Sequence, residues 1–164
     1  DRNQAETGIR YEWYALQRCA ATYWKEFSKD KIVWKRIGSI LRFSYSTDPA
    51  FCLDSTCIAT GKNIKYLTAI LNSKMGNYLL KDSPKTGMGD LIISVQALDP
   101  IPVPNNPPEE VKRDIEEIVD QIIMIKSKNL KSDISEFENR IDKIVYKLYN
   151  LTDDEIAIVE KYNN

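Results

Sequence analysis

The sequence predicts an α+β fold, in which a small mixed β-sheet with packed helices is followed by an antiparallel helical hairpin and a short third helix. Two observations predict it. Short β-branched and aromatic segments fill residues 31–60, whereas apolar side chains recur every three or four residues after residue 105. The proline-rich run at residues 99–104 separates the two patterns. We therefore expect one domain at 1–104 and a helical appendage at 105–164.

Five segments between residues 31 and 95 have the β-branched, aromatic or alternating composition of strands. They are Lys31–Ile37, Ile40–Tyr45, Phe51–Leu53, Ser55–Thr60 and Leu91–Val95. Asp48-Pro49 marks a turn between the second and third segments. Lys81–Gly89 is rich in turn residues and predicts a loop before the last strand.

Helical spacing of apolar residues also occurs within the first part of the chain. Ile64–Leu80 has this spacing, Asn63 is placed to cap it, and we expect one or two helices that pack on the sheet. Residues 11–28 have helix-like spacing of aromatic residues and predict an N-terminal lead-in. The chain starts at Asp1 without a methionine, and we expect it to be a fragment of a longer protein.

The part after the proline-rich run predicts three helices. Asn106 is placed to cap the first, with Pro107 at its first position. Two apolar seams of equal length are joined by the polar residues Ser127–Ser132, which favours an antiparallel hairpin. Thr152 and Glu155 have the spacing of a capping box and would start the third, short helix.

The net charge of −1 hides an uneven distribution of charge. Residues 31–89 carry nine Lys or Arg and three acidic residues, a balance of +6. Residues 101–164 carry nine basic and fourteen acidic residues, a balance of −5. Because clustered cations attract phosphate groups, the basic part is the candidate binding surface.

The residue types present argue against catalysis within this chain. There is no histidine, no Ser or Cys in a nucleophile elbow, and no pair of carboxylates in an apolar setting. Cys19, Cys52 and Cys57 form neither an even framework nor a CxxC pair, so we expect reduced thiols and no bound metal. Glu110 and Lys112 match the acid-x-lysine fragment of metal-dependent nucleases, but they open a predicted helix where that fragment needs a strand.

The sequence has no apolar run that approaches the ~18 residues of a membrane span. We therefore expect a cytoplasmic protein without a membrane partner.

Several segments, in chain order, resemble the TaqI-like C-terminal specificity domain, which is the target recognition domain of type IIG restriction-modification enzymes and their adenine-methyltransferase relatives. The resembling segments are Trp13–Arg18, Lys31–Arg36, Leu53–Ile58, Tyr66–Lys74, Leu98–Pro104 and Ile141–Glu160. The most specific pieces are the LNS, IPVP and YKLYNLTDDE stretches within the last three.

The resemblance implies that residues 1–104 are a DNA target recognition domain, whose strands and loops read double-stranded DNA in the major groove. It also implies a methyltransferase domain upstream in the parent chain. The parent would be a type IIG restriction endonuclease and adenine-specific DNA methyltransferase that uses S-adenosylmethionine and Mg²⁺. This chain itself would hold no cofactor, and it would recognise DNA without cutting or methylating it.

DNA is contacted by cationic and hydrogen-bonding side chains, so the candidate contacts lie in the basic part. They are Lys35, Arg36, Arg42, Tyr45, Lys62, Lys85 and Thr86. Arg36 and Arg42 could each bind a guanine through two hydrogen bonds, which is worth ~1–3 kcal/mol of discrimination. Two alternatives stay open: a protein-interaction or scaffold module that uses the helical hairpin, and a Mg²⁺-dependent nuclease that uses Glu110 and Lys112.

Overall fold

A computed structural model of the chain describes residues 23–52 and 55–163. The strands in these ranges are β1 (Lys31–Lys35), β2 (Ile37–Gly38), β3 (Phe43–Ser46), β4 (Thr56–Thr60) and β5 (Leu91–Ile92). The α-helices are α1 (Ile64–Asn72), α2 (Lys74–Leu79), α3 (Val95–Leu98), α4 (Glu109–Lys128), α5 (Ser135–Leu148) and α6 (Asp153–Asn163). A short 3₁₀ helix, Trp24–Ser28, ends the predicted lead-in, whose residues 11–22 lie outside the described ranges.

The strands form two small antiparallel sheets. In the first sheet β1 lies between β3 and β4, and Trp34 of β1 is opposite Phe43 and Cys57. In the second sheet β2 pairs with β5. The Trp34 Nε1–H donates to the Ile93 carbonyl at 2.8 Å and ties the two sheets together. The predicted α+β class is confirmed, with antiparallel pairing in both sheets.

One face of the first sheet is buried against α1. Because neighbouring residues of a strand point to opposite sides, every second side chain lies on this face. Ile32, Trp34 and Phe43 are buried on this face and pack with Ile64 and Leu71 of α1. Sheet and helix thus form the first of two hydrophobic cores.

Several of the predicted strand bounds are wrong. The predicted strand Ile40–Tyr45 begins only at Phe43, and Lys31–Ile37 is divided at Arg36 into β1 and β2. Phe51 and Cys52 lie outside any strand, and the Phe51 ring instead packs on Phe27 with 4.9 Å between ring centroids. Val95 begins α3 and does not extend β5, which ends at Ile92; Ser94 precedes the helix with an extended backbone.

The predicted helical segment Ile64–Leu80 forms two helices that break at Ser73. The Ser73 hydroxyl accepts a hydrogen bond from the Gly76 N–H at 3.1 Å, so Ser73 caps α2. The predicted cap of α1 is confirmed in position, since Asn63 is the N-cap residue, but not in its hydrogen bond. Asn63 has a left-handed backbone, with φ of 57°, and its side chain makes no capping bond.

The predicted helical hairpin is confirmed by α4 and α5. The start predicted for α4 at Asn106-Pro107 is wrong, because the helix begins at Glu109. A proline disfavours helical backbone in the residue before it, so Pro108 keeps Pro107 out of the helix. Pro108 itself is extended, with φ of −51° and ψ of 137°.

The seam of α4 packs against the same chain. Ile115 and Ile118 are buried in the second core together with Tyr66 and Ile70 of α1. Helices α5 and α6 complete this core with residues such as Val145. The two predicted domains therefore share a core, and the boundary between them remains a prediction.

The capping box at the start of α6 is confirmed. The Thr152 N–H donates to Glu155 Oε2 at 2.8 Å, and the Glu155 N–H donates back to the Thr152 hydroxyl at 3.4 Å.

The proline-rich run is tied to both parts of the chain by two tyrosines. The Tyr66 hydroxyl donates to the Pro104 carbonyl at 3.0 Å, and the Tyr149 hydroxyl donates to the Pro102 carbonyl at 2.7 Å. These bonds give a structural role to the two tyrosine hydroxyls, which fix the backbone of the proline-rich run against α1 and the end of α5.

Candidate nucleic-acid interface

The nine cations of residues 31–89 fall into two groups in the structure. Four have partners within the protein: Lys31, Lys65, Lys74 and Lys81. The other five are exposed: Lys35, Arg36, Arg42, Lys62 and Lys85. With residues 23–52 and 55–163, these five form no ion pair or side-chain hydrogen bond. They are the same five cations that the sequence predicts as DNA contacts.

Two of the engaged cations neutralise acidic residues of the helical part. The Lys65 Nζ lies 2.6 Å from an Asp120 oxygen on α4, and the Lys74 Nζ lies 2.5 Å from Glu160 Oε2 on α6. Lys31 is only 1% exposed, and its ammonium donates to the carbonyls of Phe27 and Asp48. The ammonium groups of these three lysines therefore have partners within the protein and stabilise its fold.

Asn72, Ser73 and Lys74, which we call the junction, connect the sheet to the C-terminal helices. The Lys74 N–H donates to the buried Asp142 carboxylate at 2.8 Å, and the Asn163 side chain donates to the Lys74 carbonyl at 3.0 Å. Desolvation raises the pKa of Asp142 above its ordinary value, although the Lys74 N–H opposes this shift.

The junction also binds a second carboxylate, that of Glu160. The hydrogen bond from Lys74, supported by one from the Tyr146 hydroxyl at 2.8 Å, lowers the pKa of Glu160. At neutral pH the ammonium of Lys74 is therefore neutralised within the protein.

Asn72 binds the edge strand of the first sheet. Its side-chain oxygen accepts from the Phe43 N–H at 3.0 Å, and its amide nitrogen donates to the Phe43 carbonyl at 2.7 Å. One side chain thus satisfies both backbone groups that Phe43 turns away from β1.

Three of the five exposed cations meet at one end of the first sheet. Lys35 ends β1, and Arg42 directly precedes Phe43, which pairs with Trp34. Arg36 follows Lys35 and is fixed between the two sheets. Its N–H donates to the Ser55 carbonyl at 3.0 Å, and its carbonyl accepts from the Ile93 N–H at 2.8 Å.

The loop predicted at Lys81–Gly89 brings a fourth cation to this end. Lys85 forms a β-bridge with Leu91, which pairs in turn with Gly38 of β2. Lys35, Arg36, Arg42 and Lys85, together with Thr86, are called the cationic end below. Helix α1 fixes the strand beside Arg42, because Asn72 bonds the backbone of Phe43 at the start of the edge strand β3.

Thr86 orders the turn beyond Lys85. Its hydroxyl oxygen accepts from the N–H groups of Met88 at 3.3 Å and Asp90 at 3.1 Å. Its own N–H donates to the Asp90 carbonyl at 2.8 Å. Met88, at the tip, is 93% exposed. Met88 is not among the contacts predicted from the sequence, although an apolar side chain between two glycines of a polar loop is a recognisable signal.

Two predicted contacts lie away from the cationic end. Lys62 follows β4, whose last residue pairs with Lys31 at the opposite end of β1. The Tyr45 hydroxyl donates to Asp30 at 2.7 Å, and the Lys65 Nζ lies 5.5 Å from its ring centroid. Desolvation is the main cause that raises the pKa of Tyr45 to about 12, and the hydrogen bond to Asp30 is the second cause.

Arg42 lines a groove of about 820 Å³ that runs between β3, α1 and the helical hairpin. The side chains of Asn77, Lys126 and Asn139 line other parts of the groove. Arg42 therefore stands where the cationic end meets a concave surface.

The residues suggested for a nuclease do not form one in the described ranges. Glu110 lies in the first turn of α4, and the Lys112 ammonium donates to Glu109 at 3.1 Å. Within residues 23–52 and 55–163, no three His, Cys, Asp or Glu side chains gather as metal ligands do. Nor does any helix of these ranges have the length and apolar character needed to cross a membrane.

Comparison with known proteins identifies one family. The family model of the TaqI-like C-terminal specificity domain matches residues 3–103, which is more than half of the chain. The cationic end lies within this range, whereas Ile141–Glu160, which the sequence analysis included in the resemblance, lies beyond it. No curated protein sequence matches the chain significantly.

Proposed function

Because the chain belongs to the family of TaqI-like C-terminal specificity domains, and is thus a DNA target recognition module, we propose that its cationic end reads double-stranded DNA. The observation that carries the proposal is the division of the nine cations. The cations near the acidic helices are neutralised, whereas those of the cationic end are exposed and form no ion pair within the described ranges. A polyanion supplies the missing partners.

Each residue of the cationic end has a distinct role in this proposal. Lys35 and Lys85 contact phosphates, whereas Arg36 and Arg42 bind guanine edges through two hydrogen bonds each. The Thr86 oxygen already accepts two backbone hydrogen bonds, so its hydroxyl hydrogen donates to a phosphate or a base. The fixed backbone of Arg36 supports base reading, because a fixed backbone costs less conformational entropy on binding.

Lys62 and Tyr45 have weaker support. Lys62 would contact a phosphate beyond the main footprint, since it lies at the opposite end of β1. Tyr45 would only accept a hydrogen bond, because its hydroxyl hydrogen is donated to Asp30.

We also propose that the chain is the recognition part of a cytoplasmic type IIG restriction-modification enzyme. A methyltransferase domain upstream would use S-adenosylmethionine there, and cleavage by the parent would use Mg²⁺. The family match and the order of the resembling segments support this parentage. The sequence upstream of Asp1 tests it, since an Asn-Pro-Pro-aromatic motif after a glycine-rich cofactor loop is expected.

The alternative of a protein-interaction module has lost its main support. The seam that suggested it, with Ile115 and Ile118, is buried against Tyr66 and Ile70 of the same chain. Another protein would have to bind a different surface of the hairpin.

Charge reversal tests the proposed interface. The full chain is titrated with duplexes selected for binding from a random pool, between 50 and 200 mM salt, concentrations over which phosphate-bound complexes weaken by about 10³-fold or more when many contacts are made. We expect Arg36→Glu combined with Arg42→Glu to weaken binding by about 30-fold or more, since two contacts worth ~1–3 kcal/mol each are lost.

The matched control is Arg113→Glu combined with Arg140→Glu, on exposed positions of α4 and α5. It makes the same change in net charge away from the interface, so it should weaken binding by less than about threefold. Equal losses in both double variants, or binding by the wild type that does not depend on salt, would overturn the proposal.

A further inference from the structure

The loop between Lys85 and Leu91 carries an exposed apolar side chain, Met88, at its tip. Met88 is 93% exposed, the largest value among the large apolar side chains of the described ranges. A single exposed apolar side chain is common on protein surfaces and carries no meaning alone. The backbone that presents Met88, however, is ordered on both sides of it.

Several backbone hydrogen bonds hold the tip. In addition to the bonds of the Thr86 hydroxyl, the Gly89 N–H donates to the Thr86 carbonyl at 3.0 Å. Gly89 has φ of 90°, a value that favours glycine. A methyl group added at Gly87 or Gly89 would meet no atom within 4 Å. The tip is therefore narrow, ordered and clear of the rest of the protein.

The width of the loop that carries Met88 determines which groove of DNA it can enter. Below the tip the chain forms a two-stranded ribbon, in which the Ile92 N–H donates to the Pro84 carbonyl at 2.7 Å and Lys85 bridges Leu91. A two-stranded ribbon fits the major groove, which is about 12 Å wide, but not the minor groove, which is about 6 Å wide. Lys85 lies on the same ribbon, three residues before Met88, and would meet a phosphate when the tip enters the groove.

The chemistry of Met88 selects one feature of the major groove floor. Its side chain has no hydrogen-bond donor and only a weak acceptor, so it gains nothing from the polar edges of bases. The C5-methyl group of thymine is the apolar feature on that floor. Resting on the proposed function, we propose that Met88 contacts the C5-methyl group of a thymine and so determines one base of the recognised sequence.

Replacing thymine by uracil tests this contact, because it removes the methyl group and keeps every hydrogen-bonding group. Duplexes bound by the full chain are first selected from a random pool, and each thymine of the selected sequence is then replaced singly by uracil. We expect one replacement to weaken binding by wild-type protein roughly fourfold, the value for the loss of one buried methyl group.

The variant Met88→Ala should bind the thymine and uracil duplexes with equal affinity. Met88→Gln keeps the length of the side chain but not its apolar character, and it should also bind both duplexes with equal affinity. The control Met124→Ala, on the half-exposed face of α4, should keep the fourfold preference for thymine. Because Met88 is exposed and in contact with little else, its replacement leaves folding unchanged.

Two results would overturn the inference. One is that no uracil replacement weakens binding by the wild type, and the other is that Met88→Ala keeps the same preference for thymine. Loss of the proposed function gives a different result, since wild-type protein would then show no salt-dependent binding to any duplex. Salt-dependent binding with an unchanged thymine preference thus rejects only the contact by Met88.

Discussion

The junction and the cationic end are both built from the basic part of the chain, yet they use cations in opposite ways. At the junction, Lys74 is paired with Glu160 and its backbone binds Asp142. At the cationic end, Lys35 and Lys85 are exposed and have no acidic partner within the described ranges. The difference shows that the fold pairs the cations near its acidic helices and leaves those of the cationic end exposed, without an acidic partner among the described residues.

Adding one methyl group to a glycine beside each region gives the largest contrast; Gly76 lies two residues after Lys74 of the junction, and Gly87 follows Thr86 of the cationic end. A methyl group on Gly76 would lie 2.3 Å from the Ile70 carbonyl oxygen and 2.8 Å from that of Leu71, both backbone atoms. Since backbone atoms cannot rotate away, we expect Gly76→Ala to lower the free energy of unfolding by about 3 kcal/mol, the upper end of the range for overpacking.

The matched variant in the loop is Gly87→Ala, where the added methyl group meets no atom within 4 Å. It should change the free energy of unfolding by no more than about 0.5 kcal/mol, as surface substitutions do. Urea denaturation of both variants measures the difference. Equal losses would mean that the junction is not packed as described.

A smaller effect, which depends on pH, is expected at Glu160. The pKa of this carboxyl is lowered in the folded protein, mainly by the hydrogen bond from Lys74. It therefore stabilises the fold above its unfolded pKa of about 4.3, and this stabilisation is lost as the pH falls through the lowered folded value.

Accordingly, Glu160→Gln should cost about 1 kcal/mol at pH 7, a modest value because solvent partly screens the pair. The cost should shrink as the pH falls below about 4. Urea denaturation at several pH values measures it, with Glu117→Gln on an exposed position of α4 as the control. A cost that stays constant down to acidic pH would contradict the assigned ion pair.

The smallest effects on stability are expected from the cations themselves. Lys35→Gln and Lys85→Gln should each change the free energy of unfolding by no more than about 0.5 kcal/mol. Each should also reduce the slope of log affinity against log salt by about 0.9 if the lysine contacts one phosphate.

Lys74→Gln should do the reverse, because it leaves Glu160 without its ammonium partner while the cationic end is unchanged. We expect a cost of about 1 kcal/mol in stability and no change in the salt slope. The comparison of the two regions fails if Lys74→Gln alters the slope as much as Lys35→Gln does.

Features set by local spacing could be predicted from the sequence. The seams of the helical hairpin and the capping box at Thr152 depend on residues three or four positions apart, and the structure contains both. The start of α4 could not be placed by capping signals alone. The effect of Pro108 on Pro107 outweighed the capping tendency of Asn106.

The candidate site could be predicted only in part, because its definition depends on contacts between distant residues. Composition identified a basic part but did not distinguish Lys65 and Lys74 from Lys35. The acidic partners of Lys65 and Lys74 are 55 and 86 residues away in the chain. Tertiary packing decides which charges pair, and a local pattern of charges in the sequence does not predict it.

The amide of Asn72 has a consequence for the behaviour of the protein in concentrated solution. Strand β3 is an edge of its sheet, and an edge strand with unpaired N–H and C=O groups is a template on which a strand of another molecule can add. By bonding both groups of Phe43, Asn72 removes the docking points at the start of that edge. The same side chain that joins the sheet to α1 therefore also removes one pair of backbone groups on which a strand of a second molecule could add.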